Sequence, residues 1–138
     1  MKSRIFHTHS EEETLALGER LAAKLPSKCV VLLIGQLGAG KTTIAKGIVK
    51  GLGAAPQEEV SSPTFTLIHE YRPNVYHVDL YRLDRPEQLA TLGLEEIFDR
   101  DAVVLIEWGD RFPDIVPSEH IEIRLRATGK DSREIEVQ

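Results

Sequence analysis

Polar and apolar positions change period along this chain, and the changes mark out its elements. Arg4 to Thr8 is a short segment suited to an edge strand. Ser10 and Glu13 form an S-x-x-E capping box, and Leu17, Leu21 and Leu25 continue it as an apolar stripe up to Pro26. That pattern predicts a helix of about fifteen residues. Cys29 to Ile34 is apolar without interruption, as in a buried strand. Ile44, Ile48 and Leu52 then recur at helical spacing until Gly51 and Gly53 end the pattern. Pro56 to Glu59 is a polar connection. Within Val60 to Tyr71, Pro63 biases Ser62 away from helix and the later residues alternate as a strand. The Arg72-Pro73-Asn74 break predicts a hairpin into Val75–Asp79. Pro86 to Phe98 reads as helix, broken in two at Gly93, with Leu89, Leu92 and Ile97 available for packing. Ala102 to Ile106 repeats the uninterrupted apolar run and delivers Glu107 and Trp108 at its end. After a short helix or turn at Arg111–Pro113 and Ile115–Pro117, Ile121–Leu125 and Glu134–Val137 alternate about Thr128–Asp131, an antiparallel hairpin with one wet face. Residues 1–138 are expected to form a single domain of the α/β class.

Between the first apolar run and the helix after it lies Gly35-Gln36-Leu37-Gly38-Ala39-Gly40-Lys41-Thr42-Thr43, which matches G-x-x-x-x-G-K-[ST]. Glycines at 35, 38 and 40 let the backbone wrap its N–H groups around an anion. The helix starting at Lys41 and Thr42 points unpaired N–H groups and its positive dipole end at the same place. Lys41 supplies a charge for the β- and γ-phosphates, and the Thr42 hydroxyl can ligate Mg²⁺. Two further strands end in an acid. The longer apolar run delivers Glu107, in the Walker B arrangement that places a carboxylate opposite the loop threonine, and Glu107 is therefore the expected metal ligand. Asp79 ends the other strand, sharing a face with His77, and reads either as a catalytic carboxylate or as a cap for the next segment. Thr64, in Ser62-Pro63-Thr64-Phe65, is either a switch residue near the γ-phosphate or part of a loop-to-strand junction. Trp108, the only tryptophan, reads as a core anchor or a site contact. Arg82 reads as a phosphate contact or a surface ion pair.

Composition narrows the setting. The net charge of −5 is unequally divided: residues 1–69 carry eight Lys/Arg against six Asp/Glu, and residues 70–138 carry nine against sixteen. An acidic second half argues against an extensive nucleic-acid footprint there, so any RNA is expected to be held by a partner. Cys29 is the only cysteine, which excludes an intrachain disulfide and a cysteine metal cluster and fits a reducing cytoplasm. No apolar run approaches the roughly 18 residues of a membrane span, and the first ten residues lack a signal-peptide core. His7 and His9 would share a face on a strand, as a metal pair or as two exposed histidines near a terminus. Asn74 is the only asparagine, so no N-K-x-D guanine-reading motif exists and a GTPase is disfavoured. A small-molecule kinase would need an acceptor region and an arginine-bearing lid. A binding module gated by nucleotide at residues 60–66 is another reading, and ATP hydrolysis with water as acceptor fits best.

Taken in order, Gly35–Thr43, Ser62-Pro-Thr-Phe65, His77-Val-Asp-Leu-Tyr-Arg82 and Leu105-Ile-Glu-Trp108 resemble the TsaE (YjeE) family of bacterial ATPases, over nearly the whole chain. The resemblance implies a P-loop NTPase-like three-layer fold, with a mainly parallel sheet to which antiparallel strands are added. It implies an ATPase that uses ATP and Mg²⁺ for threonylcarbamoyladenosine formation on tRNA, working with TsaB and TsaD proteins and resetting their cycle. At matching positions it implies phosphate contacts from residues 35–43, Mg²⁺ ligation by Thr42 and Glu107, a switch-like loop at Thr64, and importance for activity at Asp79 and Trp108. The family commonly has Asp after the first loop glycine, where this chain has Gln36. Lys130 and Arg133 are both within the possible reach of the nucleotide, and no motif selects an adenine pocket.

Overall fold

Runs of apolar residues in this chain are buried on two opposite faces of one sheet. The computed structural model describes residues 3–54, 67–71 and 74–138. Its strands are β1 (Arg4–Thr8), β2 (Cys29–Ile34), β3 (Ile68–Tyr71), β4 (Val75–Asp79), β5 (Val103–Glu107), β6 (Ile121–Ala127) and β7 (Arg133–Val137), and they lie in the order β1-β7-β6-β2-β5-β4-β3. Val31 and Leu33 of β2 point to one face with Leu105 and Ile123, while Val30 and Leu32 point to the other with Val104 and Ile106. Burial on both faces explains why these strands are written in unbroken apolar residues rather than in alternation.

The first face is covered by α1 (Glu11–Ala22) and α2 (Lys41–Gly51), which pack closely on each other. The second is covered by α3 (Leu94–Asp99), by a 3₁₀ turn at Pro86–Thr91 and by Phe112 and Val116. Three layers result. Close approach of α1 and α2 depends on glycine: a Cβ at Gly47 would lie 2.3 Å from the Leu15 carbonyl oxygen, and one at Gly18 would lie 2.6 Å from that of Ile44.

The expected elements are present among the described residues, with three differences. The sheet is mixed rather than mainly parallel. β2–β5, β2–β6 and β4–β5 are parallel, whereas β1–β7, β6–β7 and β3–β4 are antiparallel. The short connections after β3 and β6 leave no room for the crossover that a parallel pair needs. The first helix is 12 residues rather than about fifteen. Its last turn tightens into bonds from the Lys24 and Leu25 N–H groups to Leu21 and Ala22 carbonyls as the chain approaches Pro26. In its capping box the Ser10 hydroxyl accepts from the Glu13 N–H at 3.1 Å, but the Glu13 carboxylate accepts from the N–H of His9 at 2.9 Å instead of that of Ser10. The predicted helix at residues 86–98 is divided at Gly93 as expected, with φ of +70° there, but its first half is a 3₁₀ turn rather than an α-helix, and only the second half, α3, is α-helical.

Candidate functional site

Parallel strands bring their C-terminal ends to one edge, and this edge gathers the chemistry. β2 ends at Ile34 and leads into the loop 35–40, while register pairs Leu33 with Glu107 and Asp79 with Glu107. The loop and both acids therefore meet beyond the sheet, where ligands of such folds bind.

Gly38 and Gly40 have φ of +82° and +103°, conformations that favour glycine. Gly35 is constrained by space, since a Cβ there would lie 2.6 Å from the Leu125 carbonyl oxygen of β6. The loop is braced from the far end of the chain. Arg133 of β7 donates from Nε to the Ala39 carbonyl at 2.9 Å and from Nη2 to the Gly38 carbonyl at 3.2 Å. Of the two cations left open by the sequence, Arg133 is thus the one that touches the loop, and Lys130 is exposed.

Lys41, the first residue of α2, is only 5% exposed. Its Nζ donates to the Gly35 carbonyl at 2.5 Å and lies 3.6 Å from the centroid of the Trp108 ring. Burial lowers the Lys41 ammonium below the usual lysine range, against the upward pull of Glu107, Asp110 and Asp79. Trp108 has φ of +68° and packs beside Tyr81, with ring centroids 5.1 Å apart. It borders the cleft at this edge of the sheet and also packs against the core under α3, just past the end of β5. A left-handed backbone at a bulky residue is a strained feature of the kind that gathers at functional sites.

Glu107 is 3% exposed, and its Oε2 lies 3.3 Å from the Thr42 hydroxyl and 2.7 Å from His77 Nε2. Asp79, 2% exposed, accepts the Tyr81 N–H at 2.9 Å through Oδ1, so the capping role is real. It also lines the cleft. That cleft, of about 380 Å³, is bounded by Leu37, Gly38, Gly40, Lys41, Thr42, Thr43, Asp79, Tyr81, Glu107 and Trp108. Its volume falls within the range of small-ligand sites. Arg111 secures the segment after β4 by donating to the carbonyls of Leu80, Tyr81 and Leu83 at 2.6, 2.8 and 2.7 Å. A smaller cavity of about 140 Å³, lined by Glu11, Thr14, Gly40, Thr43, Asp131 and Arg133, lies on the other side of Gly40 and Thr43.

The structure thus brings together Lys41, Thr42, Thr43, Asp79, Glu107 and Trp108. Gly35, Gln36 and Ala39 shape the loop but do not line the cleft, and the Gln36 side chain is exposed. Arg82 is exposed and outside the lining. Thr64 and its neighbours lie outside the described residues. Sequence reasoning missed Glu11, Thr14 and Asp131, which line the smaller cavity because α1 packs on α2 and the β6–β7 turn closes over the start of α2. It noted His77 only as a face-mate of Asp79. Among the described residues no group of three or more His, Cys, Asp or Glu is placed to hold a metal, so His7 and His9 form no such centre there. The Thr42 hydroxyl and the Glu107 carboxylate instead offer two hard oxygen donors side by side. This is the sparse protein donor set that suits Mg²⁺, which keeps waters and phosphate oxygens as its other ligands.

A family profile described as "Threonylcarbamoyl adenosine biosynthesis protein TsaE" matches residues 8–135. A Bacillus subtilis protein named "tRNA threonylcarbamoyladenosine biosynthesis protein TsaE" is 41% identical over 138 residues, covering 98% of this chain and 85% of the relative. A Nostoc protein of the same name is 42% identical over 134 residues, covering 92% and 80%. A crystal structure of Bacillus subtilis YdiB superposes with a TM-score of 0.79 at 35% identity, covering 99% of this chain and 84% of that one.

Proposed function

The chain belongs to the TsaE family of threonylcarbamoyladenosine biosynthesis proteins, and from that premise we propose that it is a Mg²⁺-dependent ATPase that serves this modification of tRNA together with TsaB- and TsaD-type partners. One observation carries the reading. The Glu107 carboxylate, the Thr42 hydroxyl and the Lys41 ammonium converge on one cleft at the N-terminus of α2, behind a glycine loop.

In this reading the phosphates occupy the 380 Å³ cleft and the nucleoside extends over Gly40 and Thr43 into the smaller cavity between Glu11 and Arg133. Lys41 exchanges the Gly35 carbonyl for phosphate oxygens, which relieves a buried cation now resting on carbonyls and an aromatic face. Thr42 and Glu107 would hold Mg²⁺, which when bound would supply neutralisation of the phosphate charge. Asp79, its carboxylate steadied by the Tyr81 N–H in the wall of the cleft, orients the attacking water. ATP hydrolysis would reset the partner complex, and tRNA would be touched through those partners. Leu37, 73% exposed, and Tyr81, 44% exposed, stand at the cleft as apolar contacts for such a partner.

The test is Mg²⁺-dependent phosphate release by the wild type and by Glu107→Ala, alone and with TsaB and TsaD proteins. Slow turnover alone, stimulation by the partners, and a loss on the order of a hundredfold in the variant are expected. Equal turnover by the two proteins would remove Glu107, and with it this reading, from consideration.

A further inference from the structure

His77 is completely buried in β4 and takes no part in the chemistry above. Its Nε2 lies 2.7 Å from Glu107 Oε2, across the parallel β4–β5 ladder. Register explains the contact: Asp79 is opposite Glu107, so His77 is the diagonal neighbour on the same face, within reach of a long side chain. Nδ1 of the same ring is buried without a hydrogen-bond partner among the described residues. A purely structural histidine at a buried position is ordinarily bonded at both nitrogens, because each unmatched polar atom costs free energy. Here the ring directs its hydrogen bonding to one oxygen of Glu107. The Thr42 hydroxyl stands at 3.3 Å from that oxygen and 3.5 Å from the other.

We propose that His77 is a positioning residue for the nucleotide-bound metal: by engaging Oε2 it fixes the rotation of the Glu107 carboxylate beside the Thr42 hydroxyl and so sets how that carboxylate meets the cation. The inference rests on the Mg²⁺–nucleotide reading above. It inverts the common arrangement in which a carboxylate orients a metal-bound histidine, and it obeys the same logic of outer partners fixing ligand geometry. A carboxylate free to rotate would sample both oxygens and present either, at a cost in affinity for a small ion that demands strict geometry.

The experiment is a Mg²⁺ titration at fixed ADP, together with ADP binding in EDTA, on the wild type, His77→Ala, His77→Gln and His77→Asn, with circular dichroism to establish folding. His77→Ala is expected to raise the half-saturating Mg²⁺ concentration by about tenfold or more while leaving metal-free ADP affinity within about a factor of two. His77→Gln should restore most of the Mg²⁺ dependence, because its amide nitrogen reaches the place of the ring Nε2. His77→Asn should not, because its amide nitrogen falls where Nδ1 lies. If His77→Ala does not fold, the comparison of Gln with Asn carries the test. Unchanged Mg²⁺ dependence in His77→Ala overturns the proposal. So does an equal loss in Gln and Asn, or a parallel loss of metal-free ADP binding, which would mark a merely structural residue. A wild type whose ADP binding ignores Mg²⁺ overturns instead the reading beneath it.

Discussion

Lys41 shows how a residue proposed to bind phosphate sets its charge against the stability of its own fold. Its folded pKa is lowered from the ordinary 10.5 by burial, so across that interval the unfolded chain binds more protons and stability rises with pH. We expect Lys41→Met to lack this rise and to melt no lower than the wild type at neutral pH, because it removes a buried charge while keeping the volume. On the proposed function ATP should raise the melting temperature of the wild type but not of this variant, and melts with and without ATP from neutral to alkaline pH check both points. A second pair behaves oppositely. The His120 ring, opposed by burial but hydrogen-bonded to Glu122 and to the Pro117 carbonyl, is raised above 6.5, and Glu122 is lowered below 4.5 by His120 and then by Arg124. Stability from the raised His120 is full below 6.5 and is lost as pH rises through its folded pKa. That from Glu122 is full above 4.5 and is lost as pH falls through its folded pKa. Glu122→Gln should therefore destabilise most between those two values, by about 0.5 kcal/mol, less in alkali, where only the pairing with Arg124 remains, and least in acid, where Glu122 is itself protonated. Urea melts at three pH values measure it.

At the scale of elements, α2 is the part whose placement decides the site, because Lys41 and Thr42 open it and its back presses on α1. Gly47→Ala is a sharp test. The added Cβ would sit 2.3 Å from the Leu15 carbonyl oxygen, backbone that can yield only by moving the helices apart. A loss of about 1–3 kcal/mol is expected, seen as a lower urea midpoint, together with weaker nucleotide binding. Gly93→Ala offers the contrast. Among the described residues nothing lies within 4 Å of a Cβ there and only the φ of +70° opposes it, so about 1–2 kcal/mol of stability should go while nucleotide binding stays. Most of these elements were legible in the sequence because their periods are distinct: unbroken apolar runs for β2 and β5, a capped 3.6-residue stripe for α1, an alternating pair for β6 and β7. The division at Gly93 was legible for the same reason that Gly93→Ala is expected to cost stability.

At the scale of the molecule, assembly order was not legible. Nothing in the periodicity of Ile121–Leu125 says that β6 lies parallel to β2, or that β7 carries the chain back to β1. Roles that depend on that order stayed undecided with it: Arg133 could be named only alongside Lys130, with nothing in the sequence to choose between them, and Glu11 reads only as part of a helix start. The acids were legible because each ends an apolar run. The contact of His77 with Glu107 was not, since it is a property of the register between β4 and β5. Arg133→Ala should weaken ATP binding by about tenfold through loss of two loop contacts, with little change in melting temperature. Arg133→Lys should recover little, lacking the fork that reaches both carbonyls; calorimetric titration of the three proteins decides it. The order β1-β7-β6-β2 has a further consequence for how the protein is made. On the ribosome, β1 emerges first yet must wait for β7, and β2 emerges early yet must wait for β5 and β6. The glycine loop leaves the exit tunnel long before the arginine that braces it. A nascent chain stalled before residue 133 thus carries the whole nucleotide motif without the strand that steadies it, and ATP should prevent neither its digestion nor its capture by chaperones until that last hairpin has been translated.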